Sequence, residues 1–179
     1  MPWIEIVEPG DASGVLAEAY EWQARKLGEP AAFTKLGSLY PELVLERLRL
    51  YKVVEACPSS LTPVERAFAA FVTSSLNGTP HCGSGLRLKL GELGVDPDAP
   101  GDDPRLTAIR EYAAKLTSAP GTVAAGDIEA LRSVGLGDLE ILDVNNIVAY
   151  YNYINRVANG LGLREPIATA HEALGAVPA

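Results

Sequence analysis

The stretch LTPVERAFAAFVTSSLNGTPHCGSGLRLKL, Leu61 to Leu90, decides how this sequence is read. Thr62 is placed to cap a helix, Pro63 falls at its first position and Glu65 at its third, which completes a capping box. The run that follows, through Phe68, Ala69, Phe71, Val72 and Leu76, is small and apolar on nearly every side. A helix of that kind belongs in the centre of a protein. Asn77-Gly78-Thr79-Pro80 breaks it, and a second helix is expected from Cys82 to about Leu93.

Outward from this centre the chain keeps reading as helices. Asp11 or Ser13 caps a helix from about Gly14 to Leu27, with Gly28-Glu29-Pro30 ending it. Ala31–Tyr40 is a connection with room for a helical turn. Pro41 opens a helix to about Ala56, stopped by Cys57-Pro58. Helices are further expected over about Asp103–Ser118, near Asp127–Val134, and from Asp138 to about Leu161. Five asparagines (Asn145, Asn146, Asn152, Asn155 and Asn159) lie in that last apolar helix, and buried amides need partners on neighbouring helices. No stretch reads as a convincing strand. The class is all-α, a single domain over 1–179 with about seven helices, an N-terminal arm at 1–10 and a C-terminal tail at 164–179.

Composition bounds the function. The chain has 179 residues, is 47% hydrophobic and carries a net charge of −8. An acidic surface without basic clusters argues against nucleic acid and anionic membranes as partners. No run approaches the ~18 apolar residues of a membrane span, and no signal peptide opens the chain, so a cytoplasmic protein is expected. Two cysteines and two histidines, widely spread, form no zinc-ligand pattern, and no cofactor motif stands out. Cys57 and Cys82 are separated by a whole helix, roughly 20 Å long. A disulfide needs Cα atoms within about 7 Å, so no intrachain bridge is expected.

Cys82 is the residue with chemistry to offer. It follows a Pro-containing break at a helix start, where backbone N–H groups and the macrodipole favour a thiolate. His81 is adjacent and, if protonated, strengthens that preference. The same position also suits an ordinary buried cysteine. Glu65 is explained by its cap. The tyrosines at 150, 151 and 153 suit either a pocket wall or the core and an interface.

These residues carry a resemblance. Leu61-Thr62-Pro63-x-Glu65-Arg66, an apolar helix, then Asn77-Gly78-x-x-His81-Cys82 is similar to the core of the alkylhydroperoxidase D-like (AhpD-like), carboxymuconolactone decarboxylase-like proteins. Asp138-x-Glu140-Ile141-Leu142-Asp143 and Tyr151-Asn152-Tyr153-Ile154-Asn155-Arg156-Val157-Ala158 look like the last helix of its peroxidase-related branch, and Leu27-Gly28 and Ser38-x-x-Pro41-Glu42-Leu43 fit it as well.

The resemblance implies a helical homo-oligomer and a site built on Cys82. Redox members of the family carry a Glu on the central helix, a Cys-x-x-Cys pair, and a His beyond it after three intervening residues. Cys82 matches the second, peroxide-attacking cysteine, and His81 the histidine often found before it. The first cysteine falls at Thr79, the Glu at Ala67 and the downstream His at Leu86, so the set is incomplete. Thiol–disulfide turnover within the pair then has no second thiol. Glu65 does not stand in for Ala67, since two residues along a helix is about 200° of rotation. Three readings stay open: a one-cysteine thiol peroxidase using Cys82 with His81, restored by an external thiol reductant; a non-catalytic helical oligomer binding a small ligand or partner; and decarboxylase-type chemistry on a lactone.

Overall fold

A computed structural model describes residues 2–169. Among them lie eight α-helices and two short 3-10 turns, at Pro9–Asp11 and Pro120–Thr122, with no strand. The helices are α1 (Gly14–Leu27), α2 (Ala32–Leu36), α3 (Pro41–Glu55), α4 (Pro63–Leu76), α5 (Pro80–Glu92), α6 (Pro104–Ser118), α7 (Ala125–Ser133) and α8 (Asp138–Gly160). The expected all-α class holds. The extra helix is α2, five residues in the connection expected to hold only a helical turn.

Helix α4 is central, packing most extensively on α6, α5 and α8. Its start is the expected capping box: Glu65 N donates to Thr62 Oγ1 at 3.2 Å, and Thr62 N to Glu65 Oε2 at 2.7 Å. Glu65 is buried, and its other oxygen accepts from Arg105 of α6, so the cap also ties two helices together. Phe68 and Ala69 are fully enclosed, as are Ile109, Val144 and Val148 from the surrounding helices. The α1–α3 pair forms a second apolar cluster around Ala19, Val44 and Leu48.

The asparagines of α8 bond across to other helices. Asn155, with no exposed surface, donates to Ser74 Oγ at 3.1 Å. Asn152 accepts from Asn77 at 2.9 Å, Asn145 accepts from Tyr112 at 2.9 Å, and Asn159 donates to Thr79 Oγ1 at 3.0 Å. Asn146 is exposed instead. Asp143, also buried, is bound by Arg66 and Ser59, which joins α8 to the start of α4.

Helix α8 ends in a Schellman-type turn. Gly162 has φ of 79°, and Leu163 N donates to Ala158 O at 2.9 Å. That turn sends the following residues back over the start of α5. The N-terminal arm packs against the same corner: Trp3 N donates to Leu161 O at 2.9 Å, and the indole lies where a Cβ on Gly162 would stand. Further along the arm, Val7 N donates to Ser38 Oγ. The part of the tail from 170 onward lies outside the described residues.

Candidate functional site

A cavity of about 320 Å³ lies where α2 and α3 meet α5 and α8. Cys82 is in its wall. Helix α5 begins two residues earlier than expected, at Pro80, so Cys82 sits within the first turn, with Thr79 as N-cap. Phe33, Leu48, Leu86 and Ile154 supply apolar wall. Residues 165–167 cross the cavity as a strap. His81 Nδ1 lies 2.8 Å from Glu165 O, and Ile167 N donates to Ser84 Oγ at 2.7 Å. A carbonyl oxygen only accepts, so His81 carries a proton on Nδ1.

The sequence placed Cys82 and His81 side by side, and the structure brings both to this cavity. Their roles differ from the expected pair. The imidazole holds the strap. The Cys82 thiol is pushed up to about 12 by burial, which outweighs any help from the helix start. At neutral pH it is a thiol. Cys57 is likewise free, so no bridge joins the two.

The residues around Cys82 offer no second thiol or carboxylate from the positions the sequence singled out. Thr79 is buried, and its hydroxyl accepts from Asn159. Ala67 is in the core, and Leu86 lines the cavity. What the cavity has is tyrosine and cationic groups. Tyr51 and Tyr151 are both in the wall, and burial raises both phenols well above their ordinary value. Tyr150 is pushed up to about 12, again by burial, although the nearby charge of Arg47 opposes the rise. Tyr150 stacks on Tyr51 with ring centroids 5.4 Å apart. The tyrosine cluster is therefore both core and cavity wall; Tyr153 points outward and is exposed.

Sequence reasoning missed Arg47, Tyr51, Lys89 and the strap. Arg47 had a signal. It stands three residues after Val44 and four before Tyr51, inside the buried stripe of α3 rather than opposite it. The strap had none, because its path depends on where α8 ends relative to α5.

No family model matches the sequence, and neither does any curated protein. Solved structures do match. An uncharacterized peroxidase-related protein from Silicibacter sp. TM1040 superposes with a TM-score of 0.80 at 26% identity, over 95% of this chain and 94% of that one. The AhpD core of an uncharacterized peroxidase-related protein from Ralstonia eutropha JMP134 does so at 0.79 and 23%, over 99% and 98%. This chain is AhpD-like and peroxidase-related in its fold. A more distant similarity is to the debrominase Bmp8, with a TM-score of 0.65 at 17% identity, over 96% and 95%.

The cavity that Cys82 and His81 line is the candidate functional centre. Among the described residues no group of His, Cys, Asp and Glu is arranged to hold a metal ion, and no helix is long and apolar enough to cross a membrane.

Proposed function

We propose that this AhpD-like chain is a small-molecule-binding protein of the peroxidase-related group, and that the cavity beside Cys82 is its binding site. The observation that carries this reading is the cavity itself: about 320 Å³, largely apolar, with a few placed polar groups. That is the usual make-up of a small-molecule site. Its cysteine is a protonated thiol. The positions that the resemblance assigns to the partner thiol, the acid and the second histidine hold Thr79, Ala67 and Leu86. Decarboxylase-type chemistry on a lactone would have to use Nε2 of His81, since Nδ1 is bonded to the strap. The test is a titration with phenol followed by backbone NMR. Shifts are expected around Gly85, Leu86 and Ile154, and Leu86→Trp, which fills the space, should abolish them. No shift at these residues would refute the reading.

A second reading rests on Cys82 lining the cavity at the first turn of α5. It is a one-cysteine thiol peroxidase. The sulfur would attack the terminal oxygen of a hydroperoxide R–OOH, breaking the O–O bond, and leave as sulfenic acid while R–OH departs with the proton. One external thiol would then displace water to give a mixed disulfide, and a second would release Cys82 and carry away the disulfide. A reducing, cytoplasmic setting fits two free cysteines. Trapping sulfenic acid after peroxide, in wild type and Cys82→Ser, decides between the two. Oxidation of Cys82 faster than a free thiol of equal exposure would favour the peroxidase.

The homo-oligomer implied by the resemblance is part of the same proposal. Leu43, Leu50 and Val53 leave one face of α3 apolar and exposed, which supports contact with a second copy. Sedimentation as a single 19.0 kDa species would count against it.

A further inference from the structure

The three cations that line the cavity differ in how they are balanced. Lys35 has Glu8 at 3.9 Å, and Lys89 has Glu55 at 3.7 Å. Arg47 has no carboxylate partner among the described residues. It is half-buried among neutral groups. Its Nη2 donates to Thr34 Oγ1 at 2.9 Å, it lies over the Phe33 ring at 4.7 Å, and it stands near enough to the Tyr150 phenol for its charge to oppose the effect of burial there. Such an arrangement leaves the charge uncompensated while holding the planar group still. The chain as a whole is at −8, so an uncompensated cation lining this cavity is not a consequence of composition.

A guanidinium held in this way is suited to a carboxylate, which it can grip through two parallel hydrogen bonds. The rest of the wall is suited to something else. Phe33, Leu48, Leu86, Ile154 and Ile167 offer apolar surface and no further unbalanced charge. The two carboxylates at the cavity, Glu29 and Glu165, are both exposed and belong to its rim.

We infer that the cavity's ligand is a small apolar or aromatic monocarboxylic acid, with Arg47 anchoring the carboxylate and the apolar body filling the space beside Leu86 and Cys82. The inference rests on the cavity being the binding site, and it adds the charge and number of acidic groups. If Cys82 does react, this is also the class of molecule that would carry the reacting group to it.

The experiment compares phenylacetate, phenylacetamide and acetate by calorimetry on the intact protein, alongside the phenol titration. Phenylacetate should bind at least about tenfold more tightly than the amide, since a charge-assisted pair is worth about 1.5–3 kcal/mol, or roughly 10–150-fold. Acetate, lacking the apolar body, should bind more weakly than phenylacetate. Arg47→Met, which keeps the stem, should bring acid and amide to parity. Arg47→Lys should fall between. Equal binding of acid and amide by the wild-type protein would overturn the assignment of charge and leave the cavity reading standing if phenol binds. Failure of phenol, acid and amide together would overturn both. The wild-type comparison needs no variant, so a poorly folded substitution cannot mask the answer.

Discussion

His81 and Glu165 are joined by a hydrogen bond of 2.8 Å between the imidazole Nδ1 and a backbone carbonyl. The bond fastens the chain's return segment over the cavity that Cys82 lines. It gives the histidine beside the cysteine a positioning role. Removing the ring should loosen the strap first. In His81→Ala the amide of Ile167, which donates to Ser84 Oγ, is expected to exchange with solvent about fivefold faster, as the loss of one net hydrogen bond of about 1 kcal/mol implies. Hydrogen-exchange mass spectrometry over 163–169 reads this. An unchanged rate there would show that the strap is held by other contacts.

Cys82 should behave as a hidden thiol. With its pKa near 12 against an ordinary value of 9.0, the folded protein carries on the order of a thousandfold less thiolate at pH 7 than the unfolded chain. Alkylation by iodoacetamide is expected to be slow in the native protein and fast in urea. The sign of the linked stability follows. Between pH 9 and 12 the unfolded cysteine has lost its proton while the folded one keeps it, so the folded state binds more protons and stability falls as pH rises. Below pH 9 the contribution is fully present. Cys82→Ala should flatten the fall over this window relative to wild type, measured by urea unfolding at stepped pH.

The start of α4 offers a test of the frame. Thr62→Ala removes the acceptor for Glu65 N and should cost about 1 kcal/mol of unfolding free energy. Glu65→Ala should cost more, because it also leaves Arg105 without its carboxylate. Denaturant titrations of the two variants give the order. Equal losses would mean that the Arg105 contact contributes nothing beyond the cap.

Asn155 and Ser74 form an isolated polar pair between α8 and α4. Asn155→Leu leaves the serine hydroxyl buried without its partner, a penalty of about 1–3 kcal/mol. Ser74→Ala made in the same chain should recover a substantial part of that loss. A double-mutant cycle checks this, with additive losses as the result that would contradict it.

Much of the fold was legible because it is written in local rules. Thr62, Pro63 and Glu65 specify a helix start within four residues of chain. Gly28 and Asn77-Gly78 mark helix ends through backbone preference, Gly28 and Gly78 having positive φ. The α8 asparagines announced buried polar contacts by their type alone, though not which partners they would find. The helix at Ala32–Leu36 was the exception. At five residues it is too short for periodicity to register, and it is held by tertiary contacts at the buried Thr34 and Leu36.

The sequence by itself determined the helices, their caps and the burial of α4, and it singled out Cys82 as the residue with a reactive side chain. It pointed to a thiolate, because a helix start and a neighbouring histidine are local features. Only the tertiary structure decided otherwise. Burial is set by what α3, α8 and the strap bring to α5, from positions far away in the chain, and it is burial that keeps the thiol protonated. The same assembly placed Arg47, one charge in a Glu-Arg-Leu-Arg run, in the cavity wall without a carboxylate partner among the described residues. Thus Leu61–Leu90 builds the wall that carries the cysteine, while residues outside it determine the chemistry that the wall can perform.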